Sequence, residues 1–353
     1  VIELIEFTKI NLKNKGSKMK LFIQIPCLNE EVTLPSVVTS LPHTIEGIDE
    51  IYTLVIDDGS TDKTVEVAKS LGVDYIIKNN CNLGLATSFC KGVDASLSLG
   101  ADIIVNIDGD NQYKADKITN LVQVILEKRA DIVVGCRDLN HDRDFGFLKK
   151  VLQRVGSKVV CRLSGIDVPD TTSGFRAFNR MTARKIVIKS IFSYTLEMLC
   201  QARRIGLRVG WVPIEINPKT RESRLFKSNF EYVFQQAKII IMVLLEYYPL
   251  AFFSYFAFFM FIVSMLTGLG KTLFLSCFAS EKFYLDSLPL LFLSASCLLV
   301  IAGLIGSVLS NLHLLLIDIR NRTRIISNKS ETIFEDYDVI VSPKFFKWMK
   351  ASG

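Results

Sequence analysis

The chain has 353 residues and a formal net charge of +6, from 42 Lys and Arg against 36 Asp and Glu. Hydrophobic residues make up 49% and charged residues 22%, which excludes a disordered or low-complexity chain. So small a net charge names no nucleic-acid partner. The eight cysteines stand singly with no CxxC pair, which excludes the common zinc spacings and points to a reducing compartment.

In Val1–Lys18, Glu3 and Glu6 interrupt the apolar stretch and no small-residue cleavage site follows, so no signal peptide is expected there. Met19-Lys20 before an apolar run reads as a start, and residues 1–18 as an upstream extension. From there to residue 215, short β-branched runs alternate with helical patterns. Strands are predicted over Leu21–Ile25, Tyr52–Ile56, Tyr75–Ile77, Ile103–Ile107, Ile132–Val134 and Val209–Ile214. Helices are predicted over Glu31–Leu41, Asp62–Leu71, Leu85–Leu99 and Ala115–Lys128. This rhythm predicts an α/β fold with a mostly parallel sheet, whose ligands bind beyond the carboxyl ends of the strands.

Polar clusters fall at those ends: Pro26–Glu31 after the first strand, Asp57–Ser60 after the second, Asp108–Gln112 after the fourth. A single acid there is commonly a helix cap, as Ser60 or Asp62 could be. Three acidic clusters on one edge point to a site. Asp108 and Asp110, separated by Gly109, suit joint binding of a hard divalent cation, Mg2+ or Mn2+. Such an ion completes its shell with water and phosphate oxygens, which implies a phosphorylated ligand. Neither GxxxxGK nor GxGxxG follows the first strand, so a P-loop kinase and a Rossmann dehydrogenase are poor readings.

A further block, Pro169–Arg176, holds an acid, three hydroxyls and an arginine, and reads as a loop between two helical patterns. Its plainer reading is a helix cap by Asp170 or Thr172. Between Arg137 and Arg162 lie Arg143, Lys149, Lys150, Arg154 and Lys158, which suit a solvated basic face or an anionic lipid head group. Lys219, Arg221, Ser223 and Arg224 form another basic stretch.

Two runs, 249–270 and 287–317, contain no Asp, Glu, Lys or Arg and exceed the ~20 residues a helix needs to cross a bilayer core. Residues 229–248, interrupted by Glu246, read as an interfacial helix before them. Basic residues flank the pair at Lys219, Arg221, Arg224, Lys227 and Lys238 and again at Arg320, Arg322 and Arg324. Both ends of the protein are therefore expected in the cytoplasm, with 318–353 as a cytoplasmic tail.

Taken in order, Pro26-x-x-Asn29-Glu30, Asp57-Asp58-Gly59-Ser60-x-Asp62, Asn82-x-Gly84-x-Ala86, Asp108-x-Asp110-x-Gln112 and Asp170-x-x-Ser173-Gly174-Phe175-Arg176 resemble the family 2 glycosyltransferases, and within them the polyprenyl-phosphate group. The resemblance covers residues 19–228 and implies a GT-A fold and a nucleotide-diphosphate sugar donor, GDP-mannose or a UDP-hexose. It gives the donor to Pro26, Asn29, Glu30, Asp57, Asp58, Gly84 and Asp108, and the metal to Asp108, Asp110 and Gln112. Arg137, Arg143, Lys149, Lys150, Arg154, Arg221, Ser223 and Arg224 would receive the phosphate of a polyprenyl or dolichyl phosphate in the lipid bilayer, and the Arg176 loop would face the same acceptor. A homo-oligomer is compatible with this reading. Two departures stand out: Tyr113 occupies a position that is often histidine in the family, and 219–224 lacks the family's glycine.

The implied reaction is an inverting in-line displacement at the anomeric carbon. A lipid phosphate is already anionic and needs no strong base, whereas a glycan hydroxyl needs a positioned carboxylate. Asp170 and then Glu197 are the candidates for that base. The alternatives are a transferase that extends a lipid-linked glycan or polysaccharide and a non-catalytic nucleotide-sugar binder. Polysaccharide synthases carry a QxxRW motif, to which Gln201–Ile205 comes nearest, without its tryptophan.

Overall fold

A computed structural model describes residues 18–137, 156–158, 161–162, 165–188, 194–218, 229–275, 283–326 and 338–341. The six predicted runs form strands: β1 (Lys20–Cys27), β2 (Glu50–Asp57), β3 (Tyr75–Lys78), β4 (Ile103–Asn106), β5 (Ile132–Arg137) and β7 (Val209–Ile214). Two strands lie where none was expected, β6 (Arg176–Asn179) and β8 (Asp338–Val341). Together they form one sheet in the order β7-β5-β6-β4-β1-β2-β3-β8.

The four strands β4, β1, β2 and β3 are parallel, and β7 is parallel to β5. Between these groups β6 runs antiparallel to both β4 and β5. That reversal places the site. Arg176, the first residue of β6, pairs with Asn106, the last of β4, so the loop before β6 arrives at the carboxyl end of β4. The block 169–176 therefore joins a loop to a strand, not two helices as the sequence pattern suggested.

The helices on the sheet are α1 (Leu34–Thr39), α2 (Thr64–Ser70), α3 (Leu85–Ser98), α4 (Ile118–Leu126), α5 (Arg180–Lys185) and α6 (Tyr194–Arg204). Alternation along β1 supplies two cores. Leu21, Ile23 and Ile25 pack with Val65, Leu121 and Val122, whereas Phe22 packs with Leu54, Phe89, Tyr194 and Met198. Burial on both faces explains why these strands read as near-continuous apolar runs.

Three helices follow: α7 (Asn229–Tyr247), α8 (Pro249–Leu275) and α9 (Phe283–Ile326). Within them Pro249–Gly270 and Ser287–His313 are long and apolar enough to cross a membrane, and their large apolar side chains, such as Phe258, Leu266, Leu291 and Leu309, face outward. The pair packs through small residues. A Cβ on Gly306 would lie 2.8 Å from Pro249, and Ser296 Oγ donates to the Ala257 carbonyl at 2.9 Å. At 1.5 Å per residue, α9 is about 66 Å long, roughly twice a bilayer core, so it continues well past the apolar run. Residues 318–353, read as a tail, thus hold the end of α9 and β8, which pairs antiparallel with β3.

Candidate active site

The end of β4 carries the acid pair. Gly109 is required there because a Cβ would lie 2.7 Å from Cys27 Sγ, so the Asp108–Asp110 turn packs directly on the end of β1. Asn111 follows in the left-handed region (φ 59), and Gln112 N–H donates to Asp110 Oδ1 at 3.0 Å. Asp108 Oδ1 is sealed from solvent with no hydrogen-bond partner among the described residues. Burial, and then the charge of Asp110, push the Asp108 carboxyl up to about 7. Two carboxylates crowded in this way, one with an orphaned oxygen, form a donor set suited to a hard divalent cation. The described residues contain no cluster of three or more His, Cys, Asp or Glu side chains arranged for a metal, so such an ion would draw its remaining ligands from water or a bound phosphate.

On one side, the loops after β1 and β2 are stitched together. Asn29, itself left-handed (φ 57), accepts the Thr61 N–H at 2.8 Å and donates its own N–H to Ser60 Oγ at 2.8 Å. Glu30 N–H donates to Thr64 Oγ1, and Thr33 Oγ1 lies 2.7 Å from Glu30 Oε2 and 2.8 Å from the Gly109 carbonyl. Pro26 sits beyond the last β1–β4 pair, Gln24–Asn106, where it interrupts no ladder bond with β4.

The two neighbouring aspartates at the end of β2, Asp57 and Asp58, differ. Asp58 uses both oxygens on the loop before α3, accepting Asn79 Nδ2 and Leu83 N–H on one and Gly84 N–H on the other, all at 2.9 Å. The resemblance assigned Asp58 and Gly84 to the donor. In the structure they bind each other and shape the wall. Asp57 accepts Ser60 N–H on Oδ2, while its Oδ1 is buried without a partner among the described residues and burial raises its carboxyl.

On the other side, Asp170 is buried and held by a two-point ion pair: Arg137 Nε donates to Oδ2 at 2.7 Å and Nη2 to Oδ1 at 3.2 Å. Thr172 Oγ1 adds a third bond at 2.9 Å. Arg176 was expected to face an acceptor, but it is fully buried. Its Nε, Nη1 and Nη2 donate to the carbonyls of Ser173, Thr195 and Thr171 at 2.8, 2.6 and 2.8 Å. It braces its own loop. Glu197 is 1% exposed and accepts the Tyr247 hydroxyl at 2.9 Å and Gln201 Nε2 at 3.3 Å, which ties it to α7. Arg143, Lys149, Lys150, Arg154, Arg221, Ser223 and Arg224 lie outside the described residues. Nearby Ser157, from the same basic segment, places its Oγ 3.1 Å from Thr171 Oγ1.

Several residues of the site escaped the sequence reading. Asn106 Nδ2 donates to the Gly174 carbonyl at 2.9 Å and to Tyr194 Oη at 3.1 Å, while its Oδ1 accepts Gln24 Nε2. Gly174 N–H donates to Tyr113 Oη at 3.3 Å, and a Cβ on Gly174 would lie 2.8 Å from Asp108 Oδ2. Tyr113, the departure from the usual histidine, thus holds the 170–176 loop against the acid pair. The available signal was a polar Asn at the end of the otherwise aliphatic run Ile103–Val105.

Residues 22–187 match the model of Glycosyl transferase family 2. The chain belongs to this family. The transferase is 29% identical over 218 residues to UDP-N-acetylglucosamine--dolichyl-phosphate N-acetylglucosaminyltransferase of Methanococcus voltae, covering 55% of this chain and 84% of that one. It is 25% identical over 201 residues to the polyprenol monophosphomannose synthase of Mycolicibacterium smegmatis, covering 54% and 74%. Its fold is that of glucosyl-3-phosphoglycerate synthase from Mycobacterium tuberculosis, solved with Mn2+, UDP-glucose and phosphoglyceric acid. The TM-score is 0.52 at 21% identity, over 65% of this chain and 80% of that one. The transferase therefore has the GT-A architecture that the resemblance implied.

Proposed function

We propose that this transferase moves a sugar from a nucleotide-diphosphate sugar to the phosphate of a polyprenyl or dolichyl phosphate, with inversion, at a membrane surface. The observation that carries this reading is the Arg137–Asp170 pair beside the acid turn. Asp170, first candidate for a general base, has both oxygens engaged by a guanidinium, and Glu197, the second, is buried against Tyr247. Neither is placed as a base, and a phosphate oxygen needs none. Arg137 brings positive charge to this side of the site and opposes the rise in the Asp108 carboxyl. Two relatives whose names specify dolichyl-phosphate and polyprenol-monophosphate products or acceptors support the same acceptor class.

The chain's own residues then divide the work. Asp57, with its unpartnered buried oxygen, faces the donor beside the Asn29 turn, and Asp108 and Asp110 would hold Mg2+ or Mn2+. When bound, that ion would neutralise charge developing on the leaving diphosphate. Arg137, oriented by Asp170, would receive the acceptor phosphate together with the basic segment that ends near Ser157.

The helix pair supports residence in a bilayer, since most of its large apolar side chains lie exposed among the described residues. β8 returns to the sheet that the chain left before α7, which supports a hairpin of two crossings with both flanks on one side. The basic flanks favour the cytoplasmic side. The test is incubation of detergent-purified protein with Mg2+ or Mn2+, a panel of labelled GDP- and UDP-sugars, and polyprenyl phosphate. Organic-phase label with one donor, lost in Asp110→Asn, is the expected result. Donor hydrolysis without lipid label would move the acceptor to a glycan hydroxyl.

A further inference from the structure

Helix α6 touches both the acid turn and the apolar helices. At its first turn, Tyr194 Oη is bound by Asn106 and lies 3.4 Å from the Gly174 carbonyl, and the Thr195 carbonyl accepts Arg176. Along its middle, Leu196 and Cys200 pack on Val243 and Tyr247 of α7. Buried Glu197 and Gln201 meet the Tyr247 hydroxyl, each at 2.9 Å. At its last turn, Arg204 Nη1 donates to the Tyr247 carbonyl at 2.7 Å and to Ser310 Oγ at 2.5 Å, and Nη2 donates to Asn311 Oδ1 at 2.6 Å.

Ser310 and Asn311 belong to the apolar run of α9. Polar groups in such a run are costly unless partnered. The planar guanidinium fork supplies their partner, and its donors reach two helices at once. A second tie joins the same helices, with His313 Nε2 3.4 Å from Glu246 Oε1. The eleven residues of α6 span about 16 Å at 1.5 Å each, so one rigid rod runs from the Gly174 loop to the second apolar helix.

We infer that Arg204 is a positioning residue. Through Ser310 and Asn311 the second apolar helix holds α6, and α6 holds the Gly174 loop and acid turn at a set height over the bilayer. Transfer to an acceptor embedded in the membrane then depends on this junction, whereas donor binding and transfer to a water-soluble acceptor do not. The inference rests on the lipid-phosphate reading above for its acceptor. The junction itself can be judged without it.

The experiment uses the full chain in lipid nanodiscs, wild type against Arg204→Ala, Arg204→Lys and the double variant Ser310→Ala/Asn311→Ala. Three quantities are read: kcat with bilayer-borne long-chain polyprenyl phosphate, kcat with a short water-soluble prenyl phosphate, and hydrogen exchange across 194–204. Arg204→Ala is expected to lower the long-chain kcat about tenfold or more, since displacement by an ångström or so is enough for that. The short-chain kcat and donor KM should stay within about twofold, and exchange in the last turn of α6 should rise. Arg204→Lys should recover part of the long-chain rate. If Arg204→Ala does not fold, the double variant carries the test, because both of its positions lie outside the α/β unit. Equal loss on both acceptors, or an unchanged long-chain rate, would overturn the inference. If the wild type labels no prenyl phosphate at all, the acceptor reading fails. Exchange then decides the junction: faster exchange of 194–204 in the double variant upholds it, and unchanged exchange overturns it.

Discussion

The end of β4 and the loops that flank it are built from the same residue types and behave in opposite ways. Asp58 and Asp170 in the flanking loops, and Arg176 at the start of β6, have their polar atoms engaged by the protein itself. Asp108 at the end of β4, with an orphaned oxygen and a carboxyl pushed up to about 7, is held in a state that a cation would relieve. The contrast shows that acids clustered on one sheet edge separate into those whose oxygens the protein satisfies, which build the wall, and those left open, which we propose meet the ligand. Satisfaction of their hydrogen bonds tells the two apart.

The sharpest way to break this contrast is to remove each kind of group in turn. Asp108→Asn should lower transfer about 10²–10³-fold, the range for losing one transition-state charge stabiliser, while the melting temperature holds or rises because a crowded charge is gone. Arg176→Leu should do the reverse in kind. Three carbonyls lose their donor at about 1 kcal/mol or more each, so thermal unfolding should register about 3 kcal/mol of lost stability. If Arg176→Leu melts like wild type, the division into builders and receivers is wrong.

The pH dependence sharpens the same point. A carboxyl raised from 3.8 to about 7 binds its proton more tightly when folded, so the metal-free protein should lose stability as pH rises across that window. A divalent cation binds the ionised form. Its stabilising effect in thermal unfolding should therefore grow with pH, by up to about 1.4 kcal/mol per unit below pH 7, and level off above. A Mn2+ effect that is flat from pH 5.5 to 8 would place the cation elsewhere. Asp170→Asn should cost about tenfold in transfer, the worth of one charge-assisted bond, and leave a measurable rate; complete loss would make Asp170 the base. The smallest effect is expected from Tyr113→Phe, which removes the partner of Gly174 N–H: about 1 kcal/mol of stability and a few-fold in rate.

The resemblance carried the GT-A architecture and family membership, and β-branched runs with polar ends marked six of the strands along the chain. β6 went unseen because Arg176–Asn179 is four residues long, with no alternation, and follows a block that reads as a helix cap. β8 went unseen because Asp338–Val341 is too short to signal a strand without its partner β3. Among site residues, the acids of the turn after β4 were legible because two carboxylates around a glycine at a strand end have few structural uses. Asn106, Tyr113 and Tyr194 were not, since each reads as an ordinary polar or aromatic core residue until the fold brings the loop at Gly174 against them, from 68, 61 and 20 positions away.

By itself, then, the sequence determined what local periodicity and composition can carry: an alternating α/β unit, acids at strand ends, and two apolar helices after it. Tertiary structure decided which acids remain available. That depends on donors such as Arg137 and the Leu83–Gly84 amides, and these reach Asp170 and Asp58 only after strands distant in sequence pair. It also decided that Gln201 and Arg204, which read as a fragment of a synthase motif, lie against α7 and α9. A hydrogen bond needs its two atoms within about 3 Å, and only the folded chain sets that distance.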